Sequence, residues 1–219
     1  MKREAYFTQR NIKMVAGRLK ASLCRMRRFS AFEFDAQSAA LLVIDMQEYF
    51  LNPHSHAYIP SGRAIIKNVK KLISIFLEKR LPVVLTRHID YMDPGMMKRW
   101  WGELITVKDR MSEIIDELKV AGVKVIKKSQ YDAFFRTGLE DYLIKRRRVF
   151  QLVITGVLTH LCCDTTARSA FMRGFTVFFP VDGTATQNYQ LHTASLLALT
   201  HGFVIPVLCG EIYEKVSTL

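Results

Sequence analysis

Apolar positions along this chain fall into two alternating patterns. Ala40–Asp45 (ALLVID) is a short run that is apolar except at its end, as a strand buried on both faces of a sheet requires. Arg63–Lys79 follows, with Ile65, Ile66, Val69, Leu72, Ile73, Phe76 and Leu77 recurring on one helical face. The two signals then repeat. Further strands are predicted at Pro82–Thr86, Val123–Ile126, Phe150–Thr155, Thr176–Val181 and Phe203–Val207. Helices are predicted at Met111–Val120, Thr137–Arg147, Leu161–Gly174 and Tyr189–His201. Gly174 suits the residue that closes a helix. Pro206 places the last strand at an edge, because proline cannot donate to a sheet ladder. The alternation predicts a three-layer α/β fold, an open sheet of six mostly parallel strands with helices on both faces.

A chain of 219 residues, 49% apolar and 24% charged, suits one globular domain with a substantial core. No apolar run approaches the ~18 residues of a membrane span. The opening MKREAYFTQRNIK has neither an apolar stretch nor a small-residue cleavage site, so it does not read as a secretory signal. Cys24, Cys162, Cys163 and Cys209 form no framework spacing, which favours free thiols in a reducing, cytoplasmic setting.

The net charge of +12 raises the question of nucleic acid, but eight of those charges fall between Met1 and Ser30, where nine Lys or Arg meet one acid. That distribution describes a basic arm (residues 1–35) rather than a groove reader. Ile12, Val15, Ala16, Leu19, Leu23 and Met26 share a helical face there, as in an amphipathic helix docked on the domain or on a second subunit. Contact with a membrane surface or nucleic acid is the competing role of the arm. The run Lys145–Arg148 closes a predicted helix, where cations complement the dipole.

In open parallel sheets, ligands bind beyond the carboxyl ends of the strands. The first strand ends in Asp45, the third is followed by Lys127 and Lys128, and the fourth leads through Gly156 to Cys162 and Cys163. A carboxylate, an ammonium and a thiol at neighbouring strand ends are the parts for acyl transfer through sulfur. A helix N-terminus and a nearby lysine favour thiolate, and a carboxylate can shuttle the thiol proton. Taken singly, a cysteine is commonly core filler, an aspartate a cap and a lysine a solvated charge. Their shared location is what points to chemistry.

At these residues the chain resembles the isochorismatase-like hydrolase superfamily, which includes nicotinamidases, N-carbamoylsarcosine amidases and isochorismatases. Three blocks carry the likeness, LLVIDMQEYF (Leu41–Phe50), KSQYDAFFRTGLEDYL (Lys128–Leu143) and GVLTHLCCDTTARSAFMRGF (Gly156–Phe175), with VDGTAT (Val181–Thr186) a weaker fourth. The resemblance implies strand order 3-2-1-4-5-6, a hydrolase domain over 36–219, and a catalytic triad of Asp45, Lys128 and Cys162. It also implies a cis peptide between Val157 and Leu158, and an oxyanion hole from the backbone N–H groups of Leu158 and Cys162. Cys163 would point into the helix packing. Isochorismatases proper carry glycine at the Cys162 position, so the thiol favours the amidase branch. The metal-site aspartate of nicotinamidases falls on Arg63, which leaves His54, His56 and His88 without an acidic partner at the expected spacing; no metal or other cofactor is expected. Asp132 stands where the family's block commonly has serine.

Gln47, Phe50, Arg99, Trp100, Trp101, Tyr131 and Phe134 are the candidate substrate contacts, a set suited to a flat or apolar group with a carboxylate for Arg99. The stretch Met96–Leu104 reads as a segment near the active site or a packing element of a lid or dimer contact. The expected activity is hydrolysis of a C–N bond, amide or carbamoyl, in a small molecule through a thioester at Cys162. Ether hydrolysis of an isochorismate-like acid and a non-enzymatic scaffold binding through the basic arm are the alternatives. The family resemblance also implies a homo-oligomer, dimer or tetramer.

Overall fold

A computed structural model describes residues 2–26, 32–91 and 95–219, apart from the Arg146 side chain. The arm charges Arg27 and Arg28 lie outside the described residues. Helix α1 (Ile12–Cys24) precedes β1 (Ala39–Ile44), the short α2 (Glu48–Leu51) and α3 (Gly62–Glu78). Then come β2 (Val83–His88), α4 (Met96–Trp101), β3 (Lys124–Lys128), α5 (Leu139–Arg147) and β4 (Gln151–Val157). The chain closes with α6 (Asp164–Met172), β5 (Thr176–Pro180), β6 (Thr184–Ala185), α7 (Tyr189–Gly202), β7 (Ile205–Val207) and α8 (Cys209–Ser217).

Among the described residues, seven strands form one parallel sheet, ordered β3-β2-β1-β4-β5-β7, with the two-residue β6 pairing with β4. The predicted sixth strand is β7, and with Pro206 in it, it lies at the edge as expected. Every residue of β1 is buried, so both faces of the sheet centre are covered. Helix α3 packs on β1 and β4 and against α8, while α6 packs on β5 and against α7. Helix α1 buries Ile12, Ala16, Leu19 and Leu23 and rests on α7 and β7; Met26 of the predicted stripe is exposed. Lys20 ion-pairs with Glu211 of α8. No described helix is long and apolar enough to cross a membrane.

The predicted helix Met111–Val120 is instead two single 3₁₀ turns, Arg110–Ser112 and Asp116–Leu118. Between them the chain pairs with the segment after β1: Ile115 N–H donates to Met46 O at 3.0 Å and Glu48 N–H to Glu113 O at 2.9 Å. Backbone groups committed to that pairing cannot also close helical turns. The predicted helix from Leu161 likewise begins as a π-turn, Thr159–Cys163, before α6 takes over.

Candidate active site

The apolar run of β1 ends on a carboxylate with no exposure to solvent. Asp45 has φ 47°, a left-handed conformation that typically costs a non-glycine residue about 1–3 kcal/mol. Thr86 on β2 holds it there twice over. The Asp45 N–H donates to Thr86 Oγ1 at 3.0 Å, and the Thr86 hydroxyl donates to Asp45 Oδ1 at 2.6 Å. Lys128, the last residue of β3, brings Nζ to 2.6 Å from Asp45 Oδ2, with both side chains fully buried. Nζ also donates to Gln130 O at 2.9 Å and to Cys162 Sγ at 3.4 Å. Burial opposes the ammonium, but Asp45 and Cys162 together outweigh it and hold the Lys128 pKa above the ordinary lysine value.

Cys162 reaches this pair through a turn that its own sequence tightens. Gly156 near the end of β4 has φ 113°, and a Cβ there would lie 2.0 Å from Ile44 O. Glycine therefore lets β4 close on β1 beside Asp45. The Val157–Leu158 peptide bond is cis. Around the π-turn that follows, Thr159 Oγ1 meets His192 Nδ1 at 2.9 Å, His160 Nδ1 meets Thr186 Oγ1 at 2.6 Å, and Ser195 Oγ donates to Thr159 O at 3.3 Å. The turn is thus tied to α7 and to the loop before it.

The electrostatics differ from the expectation of a resting thiolate. Burial pushes the Cys162 thiol up to about 12, and Asp45 adds to that, more than Lys128 can offset. Sulfur therefore rests protonated at neutral pH, with the Asp45 carboxylate beside it. Cys163 is buried and does not reach the pocket.

Cys162 lies at the floor of a cavity of about 190 Å³. Of the expected substrate contacts, Phe50, Trp101 and Tyr131 line it, and Trp101 Nε1 donates to Tyr131 Oη at 2.7 Å. The others stand elsewhere. Gln47 is spent on structure: its amide donates to His88 O (3.0 Å) and Ser112 O (2.7 Å) and accepts from His88 N–H (2.8 Å). Phe134 packs into the core against Phe175, while Arg99 and Trp100 point to solvent from α4. Asp132 also has a structural part, accepting from the Phe134 N–H (2.8 Å) and the Ser169 hydroxyl (2.7 Å).

The pocket instead gains Tyr49, His56, His88, Asp90 and Glu103. His88 Nε2 meets Asp90 Oδ1 at 3.2 Å, and His56 Nδ1 meets Glu103 Oε2 at 3.3 Å. Burial works against ionised Asp90, but His88 and the Ile105 N–H hold its carboxyl below the ordinary value. Burial, with Glu103 and Asp90 adding, raises the Tyr49 phenol to about 12. Each of these two histidines faces a carboxylate, but the pairs are separate. Among the described residues no three His, Cys, Asp or Glu side chains converge as metal ligands, and Arg63 pairs with Glu117 at 2.9 Å. His88 Nδ1 is buried without a partner, one open donor where a protein metal site takes three or more. The set does not fit a resident metal.

The family model of the isochorismatase domain matches residues 39–209. Nicotinamidase 3 of Arabidopsis thaliana is 39% identical over 194 residues, covering 85% of this chain and 93% of that protein. Enterobactin synthase component B of Escherichia coli is 34% identical over 167 residues, 74% of this chain but 58% of its own length. Among solved structures, a cysteine hydrolase from Pseudomonas syringae pv. phaseolicola superposes with TM-score 0.81 at 23% identity, covering 85% of this chain and 96% of that one.

Proposed function

Because this chain belongs to the isochorismatase family of hydrolases, we propose that it cleaves the C–N bond of a small amide or carbamoyl compound through a thioester at Cys162. The observation that carries this reading is the contact chain at the pocket floor: Cys162 Sγ 3.4 Å from Lys128 Nζ, and Nζ 2.6 Å from Asp45 Oδ2. A thiol held near pKa 12 needs a base as it attacks. Asp45 Oδ2 takes the proton while sulfur adds to the carbonyl carbon, and the ammonium of Lys128 balances the negative charge that moves from carboxylate to sulfur. The backbone N–H groups of Leu158 and Cys162 receive the developing oxyanion. Asp45 returns its proton to the departing nitrogen, which leaves as ammonia or amine. Water, deprotonated by Asp45, then cleaves the thioester to release the acid and restore the thiol.

The cavity, at about 190 Å³, is smaller than the ~300–1,000 Å³ of pockets for drug-sized ligands. With Phe50, Trp101 and Tyr131 as walls, it suits a flat ring or short chain bearing a primary amide. The relative named a nicotinamidase supports the same class. Ammonia release from a panel of primary amides, ureas and carbamoyl amino acids tests the reading. Cys162→Ala and Asp45→Asn are each expected to lower turnover at least about a thousandfold, and quenched reactions to carry the acyl mass on Cys162, not Cys163. Full turnover by either variant would overturn the mechanism.

A further inference from the structure

The family match begins at residue 39, yet the walls of the pocket do not. Lys2–Phe7, a segment with no helix or strand, runs along the loop between β6 and α7 and is pinned at Lys2, Glu4, Tyr6 and Phe7, to that loop and to Ser61 before α3. Asn188 Nδ2 donates to Lys2 O at 3.3 Å, Glu4 N–H to Gln187 O at 2.8 Å, and Tyr189 N–H to Glu4 Oε2 at 3.1 Å. The Thr186 N–H donates to Tyr6 Oη at 2.9 Å, the Ser61 hydroxyl donates to Glu4 O at 3.0 Å, and the Phe7 N–H donates to Ser61 Oγ at 3.1 Å. Arg3 sits between two of these anchors and, with Gln187, lines the same cavity as Cys162.

The other charges facing that cavity already have counter-ions. Glu103 is paired with His56 and Asp90 with His88. Arg3 has no hydrogen bond or ion pair among the described residues. A guanidinium held by an anchored backbone at a pocket rim, with its planar fork unpaired, is a receptor for a carboxylate, which it binds in two parallel hydrogen bonds.

We propose that Arg3 reads a carboxylate on the substrate, so that the arm outside the family domain sets which amides enter: those bearing an acid group at the end remote from the scissile carbonyl. This rests on the amidase reading of Cys162 and narrows its substrate class.

The test is built on binding, so that it stands apart from turnover. Succinamate, glutaramate and adipamate are titrated by calorimetry into the Cys162→Ala protein, alongside butyramide, pentanamide and hexanamide, which match them in chain length without the acid. At one length or more, the acid is expected to bind about tenfold tighter than its neutral twin. That preference should fall to within about twofold in Cys162→Ala/Arg3→Ala and be partly kept in Cys162→Ala/Arg3→Lys, whose ammonium lacks the fork. Because Arg3 is exposed, its loss should leave the thermal midpoint unchanged, which separates lost recognition from lost folding. An acid that nowhere outbinds its twin, or a preference that survives Arg3→Ala, overturns the proposal. A preference for acids in a protein whose unmutated form releases no ammonia from any amide would instead overturn the amidase reading alone.

Discussion

Thr86 is one hydroxyl on β2 carrying two hydrogen bonds to the same partner, one from the Asp45 N–H and one to Asp45 Oδ1. Thr86→Val keeps the shape and takes the partner from two buried groups of Asp45, which costs about 1–3 kcal/mol for a buried polar group left unpaired. The larger effect expected is on catalysis. A carboxylate free to rotate no longer meets the thiol proton, so kcat should fall between about tenfold and a hundredfold. KM should stay within about twofold, because Thr86 does not line the pocket. Thr86→Ser, which keeps the hydroxyl, should recover most of the rate, and steady-state kinetics on all three proteins decides it. At this scale the sequence disclosed the groups that carry charge or sulfur: Asp45, Lys128 and Cys162 fall at strand ends where such folds bind ligands. It did not disclose Thr86, since a threonine inside a β-branched strand looks like any other strand residue. It also misdirected at Gln47, whose position after Asp45 suggests substrate but whose amide is consumed by backbone.

Gly156 sets how closely two elements approach. A Cβ at this position would fall 2.0 Å from Ile44 O, in a backbone with φ 113°. Gly156→Ala must therefore part the ends of β4 and β1, where Cys162 and Asp45 are brought together. Gly174, with φ 86° and nothing within 4 Å of the added methyl, is the control, since it meets only the backbone penalty. Gly174→Ala should lower stability by about 1 kcal/mol, and Gly156→Ala by clearly more, read as shifts in the urea midpoint. Turnover should drop only in the latter. The elements themselves were legible where hydrophobic period and length agreed, as in α3, α7 and β1. They were illegible where tertiary pairing overruled local pattern. The stretch from Met111 to Val120 has helical spacing, but its backbone is claimed by the residues after β1. Helices α4 and α8 were missed because they are short, six and nine residues, and α4 buries none of its side chains, so no core-facing period marks it.

Across the whole molecule, His192 of α7 links the N-terminal segment to the turn bearing Cys162. Its ring has no exposure, and it lies 5.1 Å from the Tyr6 ring and 5.2 Å from the Phe7 ring, centroid to centroid. Its Nδ1 meets Thr159 Oγ1 at 2.9 Å. Burial depresses the imidazole to about 3, against ~6.5 for an unfolded histidine. Between those two values the unfolded chain holds a proton that the native protein refuses, so the histidine draws the equilibrium toward unfolding as pH falls. Its stabilising share is whole above about pH 6.5 and is lost progressively as pH falls toward 3. One proton of difference corresponds to about 1.4 kcal/mol per pH unit. Carboxylates titrate in the same range, so the comparison must be differential. His192→Asn retains a partner for the Thr159 hydroxyl and removes the titration. The stability gap between the unmutated protein and His192→Asn, from urea unfolding at several pH values, should be widest at pH 7.5 and shrink steadily toward pH 4. Parallel pH profiles would mean that His192 is not buried between the arm and the turn as the structure has it. A closing gap would show that both are held to α7 by the neutral form of one imidazole. The pocket wall bearing Arg3 and the turn bearing Cys162 would then loosen together in acid.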